Sequence, residues 1–525
     1  MTPLYQGVAI DALTGETLWV HNPRVYELGS PPLPSPWNHR GAAYWARGDD
    51  ARIVWGTGDG FLTAVDAETG LLASDFGEGG RVSLEDGLPR ARENPSRLPP
   101  PSRSPPVVLG DRVIIGSSVH DYLSRRENAP GFVRVYDMRT GRHEWDFHTV
   151  PQSGDAFGAQ TWLNEAWRYS GNTNVWGNIT ADPELGYVYL ATSTPTSDYY
   201  GGHRLGDNLF AESLVCVDVE TGQRIWHFQF VHHGVWDYDN PTGPNLIDIT
   251  VDGRAIKAVA QVTKQGFVYT FDRVTGEPVW PIEERPAPRG HVPGEWYSPT
   301  QPHPTKPAAY ELQNVTVDEL IDFTPELRAE ATEILEQYEY GPLFTPPLHR
   351  GNDFGKRAAI HCPGSNGGTN IMGGAAVDPE TGILYVGSTK ACSAPMLVPG
   401  INADQDKENP IGQTVMDWVA GPGGVRGPQG LPLWKPPYAR ITAIDLNTGE
   451  HLWWIPNGET PDRIKSHSLL EGIDIGNTGS PSHPTQVVTK SLLIYGAVSN
   501  THLRAHETRH GLVCRLLLEK KKGGG

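Results

Sequence analysis

The chain is short of cysteine, of long apolar runs and of positive charge, and each shortage excludes a class of function. Its four cysteines in 525 residues include no CxxC pair, no CxxCH haem-attachment motif and no zinc-ligand spacing. No apolar run reaches the roughly 18 residues that a membrane-spanning helix needs. With 43 Lys and Arg against 61 Asp and Glu, the net charge of −18 argues against a nucleic-acid-binding surface. The acidic balance fits a protein that handles neutral or cationic small molecules.

The four cysteines are Cys216, Cys362, Cys392 and Cys514. A disulfide between Cys362 and Cys392 is one alternative, but we expect two unrelated thiols instead.

Glycine, proline and tryptophan are plentiful, with 60, 46 and 16 residues. Gly and Pro at this density, without a collagen period, predict many turns and therefore many short strands. The tryptophans indicate a repeat that uses Trp as a packing unit.

A pattern of the form Asp-x-x-Thr-Gly-x-x-x-Trp recurs along the chain. The copies are Asp11–Trp19, Asp137–Trp145, Asp218–Trp226, Asp272–Trp280 and Asp445–Trp453, and Asp66–Ser74 is a sixth with Ser in place of Trp. Each copy lies between alternating apolar runs, so it predicts a strand, a tight turn and a strand, with Gly accepting a positive φ. Such units predict seven or eight blades of a β-propeller. The alternative is a multi-domain protein of β-sandwiches.

A long insert, about residues 281–365, interrupts the repeats. Within it, Thr324 and Pro325 form an N-cap and first-turn pair. They predict a short helix over 326–338.

Two segments carry the residues best suited to catalysis. Residues 232–239 read His-His-Gly-Val-Trp-Asp-Tyr-Asp, and residues 263–266 read Thr-Lys-Gln-Gly. A carboxylate among aromatic rings loses solvation, so its pKa can rise until it serves as a base. A lysine opposite it can hold an anionic cofactor or stabilise developing negative charge. The alternative is a packed corner of a large β-structure.

Together these residues resemble the tryptophan-docking repeats of the pyrroloquinoline quinone (PQQ) dehydrogenases, over roughly residues 3–496. The resemblance is closest to the quinoprotein glucose dehydrogenase branch. The stretches that carry it are 38–45, 175–177, 206–210, 232–239, 263–266 and 367–370. It implies an all-β fold, an eight-bladed β-propeller of four-stranded antiparallel blades with the quinone on its axis.

The resemblance assigns the two catalytic roles. Asp237 matches the aspartate that takes the substrate hydroxyl proton as hydride passes to the quinone, and the alternative for it is a turn-capping residue. Lys264 matches the lysine that contacts the ortho-quinone oxygens, where a cation polarises the reacting carbonyl.

Four further residues match positions that hold the cofactor. Trp176 corresponds to the tryptophan on which the flat quinone stacks. Arg40 matches an arginine that pairs with a PQQ carboxylate. Asn370 matches the Gly-Gly-x-Asn element near the quinone. Ser118 can bond a cofactor carboxylate, with a purely structural role as the alternative.

The family also implies a divalent cation, Ca²⁺ or Mg²⁺. Asp237 matches a residue beside it, and Asp121 and Glu127 are the further candidate ligands, since calcium needs several oxygens. An asparagine ligand of the alcohol dehydrogenase branch is absent here, because Thr194 and its neighbours occupy that strand end. The interpretation favoured for His232 and His233 is structural, with proton shuttling as the alternative.

The function predicted from the sequence is PQQ-dependent oxidation of a sugar, polyol or alcohol hydroxyl. Electrons are expected to pass to ubiquinone or a separate cytochrome, and the protein is expected in the periplasm. The alternative is a non-catalytic periplasmic propeller, a scaffold similar to an outer-membrane assembly factor.

Both ends of the chain depart from the family pattern. We expect the propeller to cover residues 1–496 and to be truncated, with no signal peptide or anchor before the first repeat. Residues 497–525 change character and are basic, and we expect an artefactual tail outside the fold. A genuine basic tail is the alternative. Because propellers close by pairing their first and last strands, we expect an incompletely closed ring.

Overall fold

The computed structural model describes residues 1–29, 37, 39–90, 104–119, 125–370, 374–400, 415–421, 423–481 and 485–496, and the backbone of 503–507. The chain forms two compact units. The first consists of residues 1–243, 289–301 and 397–421, and the second of residues 244–288, 302–396 and 422–525. The all-β prediction is confirmed, because antiparallel sheets dominate the described residues.

The first unit contains three four-stranded antiparallel sheets and a two-stranded one in its described part. In chain order, sheet by sheet, the strands are β1 (Gly7–Ile10) and β2 (Thr17–His21); β3 (Ala43–Arg47), β4 (Asp50–Gly56), β5 (Phe61–Asp66) and β6 (Arg81–Ser83); β7 (Val107–Leu109), β8 (Arg112–Gly116), β9 (Phe132–Asp137) and β10 (His143–His148); and β11 (Thr180–Asp182), β12 (Tyr187–Ala191), β13 (Ser213–Asp218) and β14 (Arg224–Gln229). Each sheet is a meander, since neighbours in the sheet are neighbours in the chain.

The remaining strands continue the numbering. They are β15 (Asn245–Val251), β16 (Arg254–Val262), β17 (Val268–Asp272), β18 (Ile282–Pro286), β19 (Thr300–Pro304), β20 (Leu348–His349), β21 (Ala375–Asp378), β22 (Ile383–Thr389), β23 (Met396–Pro399), β24 (Trp418–Ala420), β25 (Ala439–Asp445), β26 (Glu450–Pro456), β27 (Thr485–Val488), β28 (Leu492–Gly496) and β29 (Leu503–Glu507). In the second unit, β15–β17 and β27–β29 form three-stranded sheets, and β21, β22, β25 and β26 form a four-stranded one. The number of blades stays a prediction.

Helices are few and short in the described residues. The two α-helices are α1 (Pro325–Leu335) and α2 (Asp462–Lys465), and the 3-10 helices are Val25–Leu28, Ala159–Thr161, Leu163–Arg168, Val317–Glu319, Pro428–Gly430 and Ser468–Leu470. None of the helices in this described part is long and apolar enough to cross a membrane.

The repeat turns have the hydrogen bonding that the sequence predicts. At Asp218, the carboxylate Oδ1 accepts the backbone N–H groups of Glu220 and Thr221 at 3.0 and 2.9 Å, and the Thr221 hydroxyl at 2.9 Å. Gly222 completes the turn with φ of 71°. Because these bonds span only three residues, the motif determines its own turn.

The motif tryptophan lies on the turn of another sheet. In the first unit, Trp145 of β10 donates its indole N–H to the carbonyl of Val219 at 3.0 Å, just after β13. A Cβ at Gly222 would come within 2.7 Å of the Trp145 ring. Trp19 makes the equivalent bond to Ala67 at 3.0 Å and covers Gly70. The glycine therefore serves the packing as well as the backbone conformation.

Apolar residues of successive sheets form the core. In the first unit, Val133 and Val135 of β9, Leu190 of β12, and Val215 and Val217 of β13 are buried in one cluster. These residues alternate along their strands, so one face of each strand is buried in the cluster.

The helix of the insert begins as predicted. The Thr324 hydroxyl accepts the N–H of Leu327 at 3.2 Å, and Pro325 occupies the first turn. Helix α1 ends at Leu335, three residues before the predicted end. The N–H of Tyr338 bonds the carbonyl of Leu335 at 3.0 Å, so the chain continues as a tighter turn.

The expectation of two unrelated thiols is wrong for one pair, because Cys362 and Cys392 form a disulfide. The neighbouring residues His361 and Ser393 exchange backbone hydrogen bonds of 2.7 and 3.0 Å, which brings the two cysteine Cα atoms to 4.6 Å. Cys216 is buried as a free thiol. Cys514 lies outside the described residues.

At the C-terminal side, the backbone of β29 pairs antiparallel with β28, with Leu503 opposite Gly496. The first strand pair, β1 with β2, forms a sheet of two strands. The predictions of a truncated propeller and of an artefactual tail over 497–525 stay predictions.

Candidate active site

Asp237 lies in the first unit on the segment that follows β14. Its backbone is left-handed, with φ of 58°, and its N–H donates to the carbonyl of Asp198 at 3.2 Å. The neighbouring Trp236 and Tyr238 are 3% and 1% exposed, and their rings stack. The half-buried Asp237 carboxylate accepts a long hydrogen bond from the Tyr199 hydroxyl at 3.4 Å. The buried aromatic rings therefore anchor the loop that carries the carboxylate.

A second carboxyl group, Glu212, lies beneath this loop and is missed by sequence reasoning. It is fully buried, and its Oε1 accepts the hydroxyl of Thr194 at 2.9 Å. Its Oε2 has no hydrogen-bond partner among the described residues, and it fills the space that a Cβ at Gly234 would need. Burial raises the pKa of Glu212 to about 8, and the charges of Asp239 and Asp237 act in the same direction. Glu212 is therefore a neutral acid at pH 7.

Arg204 joins the segments around Glu212 and is also missed. Its guanidinium is fully buried and donates to the carbonyls of Thr196, Ser197 and Gly234 at 3.1, 2.9 and 2.7 Å. Burial lowers the pKa of Arg204, but a guanidinium stays charged at neutral pH. Its hydrogen bonds hold the loop before Asp237 in place.

The histidine pair has structural contacts. Nδ1 of His233 donates to the carbonyl of Gly206 at 2.7 Å, and its Nε2 lies 2.9 Å from Oε1 of Glu295. Nδ1 of His232 lies 3.0 Å from Oε1 of Gln229. The His233 ring thus connects segments that are distant in the chain, as the structural interpretation expects.

Asp239 and Arg40 position Trp176. Oδ2 of Asp239 accepts the Trp176 indole N–H at 3.2 Å, and its Oδ1 accepts the N–H of Thr194 at 2.7 Å. The Arg40 guanidinium lies 5.1 Å from the centroid of the indole ring, and Ser104 donates its hydroxyl to the Trp176 carbonyl. Trp176 is only partly buried, and the cation beside its ring suits a flat anionic ligand.

Ser118 has an unused polar atom. Its side chain is 3% exposed, and its hydroxyl has no hydrogen-bond partner within the described part of the chain. The preceding Ser117 differs, because its hydroxyl bonds the side chain of Asn174 at 3.1 Å. A buried hydroxyl without a partner fits a ligand that supplies an acceptor.

Lys264 lies in the second unit, in the tight turn between β16 and β17, and is 3% exposed. The N–H of Thr369 bonds the carbonyl of Thr263 at 3.2 Å, and the Tyr310 hydroxyl bonds the same carbonyl at 2.7 Å. A Cβ at Gly368 would overlap the carbonyl oxygen of Lys264, so only glycine allows this approach. The structure therefore places the Gly-Gly-Thr-Asn element against the Lys264 turn.

Asn370 is 6% exposed at the end of that element. Its amide nitrogen donates to the carbonyl of Ser365 at 3.2 Å and to Asn366 at 2.9 Å. Its Oδ1 has no hydrogen-bond partner among the described residues. Asn370 thus retains a buried acceptor for a ligand.

The candidate metal ligands do not form a site in the described residues. Glu127 is paired with Arg126 at 2.9 Å, and Asp121 lies outside the described part of the chain. No three His, Cys, Asp or Glu side chains among the described residues are grouped so that they could hold a metal ion. The assignment of Asp237, Asp121 and Glu127 to a cation stays a prediction.

The candidate cofactor-binding residues are suited to a bound anion. Arg40, Ser118 and Trp176 belong to the first unit together with Asp237, while Lys264 and Asn370 belong to the second unit. Each group offers a cation and a buried polar atom that has no hydrogen-bond partner within the described residues, which suits a planar quinone that carries carboxylates.

The chain is similar to several known proteins. Residues 1–519 match the family described as "PQQ: Glucose/ethanol/alcohol dehydrogenase, beta-propeller domain". The chain is 31% identical to the glycerol dehydrogenase large subunit of Gluconobacter oxydans, over 96% of this chain and 69% of that one. It is 29% identical to quinoprotein glucose dehydrogenase A of Acinetobacter calcoaceticus, over 86% of this chain and 56% of that one. A europium-containing methanol dehydrogenase has a similar fold, with a TM-score of 0.64 and 20% identity over 98% of this chain and 75% of that chain.

Proposed function

Because the chain belongs to the PQQ-dependent dehydrogenase β-propeller family, we propose that it oxidises a sugar, polyol or alcohol hydroxyl to a carbonyl. The observation that carries the proposal is the buried Lys264 turn, packed against an element that ends in the unused acceptor of Asn370. Bound PQQ supplies a two-electron acceptor that takes hydride from the substrate carbon.

In this proposal Asp237 is the general base. Its carboxylate takes the proton of the substrate hydroxyl while the hydride leaves the same carbon, so a carbonyl is formed. The Tyr199 hydroxyl bonds Oδ2 of Asp237 at 3.4 Å and so helps to orient the carboxylate. Glu212 beneath the loop is neutral at pH 7, so it adds no second negative charge beside Asp237.

The remaining residues bind and orient the cofactor. Lys264 provides the cation that stabilises negative charge developing on the quinone oxygens. The Trp176 face supports the flat ring, and Arg40 and Ser118 hold carboxylates. Asn370 contributes its free Oδ1 as a hydrogen-bond acceptor. We further propose ubiquinone or a separate cytochrome as the electron acceptor, and the periplasm as the compartment.

The experiment is reconstitution with PQQ and Ca²⁺ or Mg²⁺, followed by dye reduction with glucose, quinate, glycerol and ethanol. Asp237→Asn is expected to lower kcat by at least about 100-fold, since positioned general bases contribute roughly 10²–10⁴-fold. The matched control is Asp252→Asn, an exposed aspartate that also has a positive φ, of 50°. Undiminished turnover of Asp237→Asn would refute its role as base. No dye reduction with any substrate would favour a non-catalytic scaffold.

A further inference from the structure

The second unit contains a cleft of about 590 Å³ that the proposed chemistry does not use. Its walls come from residues 390–392, 425–427, 430–434 and 438, with Arg463 and Pro481. Clefts of this size accept small organic molecules. We call it the 390–438 cleft.

The charge of the 390–438 cleft is opposite to that of the chain. Lys390, Arg426 and Arg463 line it, and none of the described lining residues is Asp or Glu, although the chain has a net charge of −18. Arg426 and Arg463 are exposed and form no ion pair within the described part of the chain. Arg463 donates a long hydrogen bond to the carbonyl of Gly430 at 3.4 Å. Two arginines without an ionic partner among the described residues, beside one lysine, form a local site for an anion.

Two buried polar side chains support the same conclusion. The Lys390 side chain is 7% exposed; its Nζ donates to the carbonyl of Lys435 at 3.1 Å, and Glu319 is 3.8 Å away. Burial lowers the pKa of Lys390, so an anion nearby would stabilise its charged form. Tyr438 is 3% exposed, and its hydroxyl has no hydrogen-bond partner among the described residues.

The remaining wall is apolar. Leu431, Leu433 and Trp434 line the cleft and are 2%, 2% and 5% exposed. Such a wall suits the carbon skeleton of a ligand rather than an inorganic ion. The ligand chemistry is therefore a carboxylate on an organic body.

The 390–438 cleft adjoins the Lys264 turn within the second unit. Lys390 follows Thr389, which exchanges backbone hydrogen bonds of 3.0 and 3.1 Å with Gly368. Gly368 in turn packs on the carbonyl of Lys264. Lys390 of the cleft and the Lys264 turn therefore pack on the same Thr389–Gly368 backbone pair.

We propose that the 390–438 cleft binds the carboxylate of a small organic acid, at a site distinct from the residues assigned to catalysis. Arg426 and Arg463 contact the carboxylate, and the apolar wall contacts the carbon chain. The net charge of the chain suggests neutral or cationic ligands, but a ligand experiences the local charge of its cleft.

Binding is tested on the 525-residue chain without cofactor, using calorimetry with gluconate and with glucitol, which has CH₂OH in place of the carboxylate. Gluconate is expected to bind, more weakly as salt is added, and glucitol is not. Arg463→Gln and Arg426→Gln are each expected to weaken gluconate binding about tenfold, as for loss of one charge-assisted hydrogen bond. The control is Arg350→Gln, an exposed arginine outside the cleft. Equal binding of both probes, or unchanged gluconate binding by Arg463→Gln, would overturn the site.

Discussion

Glu212 gives a pH-dependent prediction that can be worked from the structure. The side chain is fully buried, and its pKa is raised from 4.5 to about 8, chiefly by loss of solvation. In the unfolded chain the same carboxyl loses its proton near pH 4.5. Between these values the folded state holds more protons than the unfolded state, so stability falls as the pH rises. The stabilising contribution of protonated Glu212 is fully present below pH 4.5, and it is lost progressively as the pH rises to about 8.

The magnitude follows from about 1.4 kcal/mol per pH unit. Because of Glu212, the free energy of unfolding should fall by about 3 kcal/mol from pH 5 to pH 7, and by about 5 kcal/mol in total once the pH exceeds 8. Glu212→Gln removes the ionisation but keeps the shape. The amide nitrogen of the variant, next to Gly234, adds a cost in stability that does not depend on pH. A change with pH in the difference between the two unfolding free energies therefore reports the titration of Glu212.

The assay is urea unfolding of the chain and of Glu212→Gln at pH 5, 6, 7 and 8, with tryptophan fluorescence as the signal. The free energy of unfolding of the unmodified chain should decline relative to the variant by about 1.4 kcal/mol per pH unit. Glu220→Gln, in an exposed turn of the same sheet, should give a curve parallel to the unmodified chain. Parallel curves for Glu212→Gln would refute the argument, since they would mean that the buried carboxyl does not titrate in this range.

Three further predictions concern the free energy of unfolding. Gly222→Ala should lower it by about 3 kcal/mol, because the backbone is left-handed and the new Cβ would overlap the Trp145 indole. Gly253→Ala should lower it by only about 1 kcal/mol, because Gly253 has a φ of 77° but open space around it. Similar urea midpoints for the two variants would contradict this. Replacing Cys362 and Cys392 together by Ser should lower the free energy of unfolding by about 3–4 kcal/mol, because the disulfide closes a loop with a sequence separation of 30. Mass analysis under non-reducing conditions first checks that the disulfide is present. Thr324→Ala should cost about 1 kcal/mol by loss of the N-cap, and Thr324→Ser should restore most of it in thermal melts.

The parts of the fold that sequence reasoning predicted are those with local causes. The Asp218 turn is closed by hydrogen bonds over three residues, and the Thr324 cap by a bond to Leu327. Spacing along the chain is sufficient to identify such contacts. The disulfide of Cys362 differs, because it depends on the backbone pairing between His361 and Ser393.

The candidate site also contains residues that the sequence identifies and residues that only the structure brings together. Asp237 and Lys264 stand in motifs that the sequence displays, and their roles stay proposals. Asp239 belongs to the same motif as Asp237, but the partners of its carboxylate, Trp176 and Thr194, are distant in the chain. Glu212 and Arg204 carried no sequence signal, since a buried acid and a buried guanidinium look like surface residues in a sequence.

The sequence by itself determined the all-β class, the repeat turns and the family, because these depend on residue types at fixed short spacings. Only the tertiary structure decided which polar groups share a buried space: Glu212 against Gly234, the Asn370 element against Lys264, and Lys390 with the arginines of its cleft. The physical reason is that desolvation and electrostatic interaction depend on distance in space, and residues far apart in the chain set both.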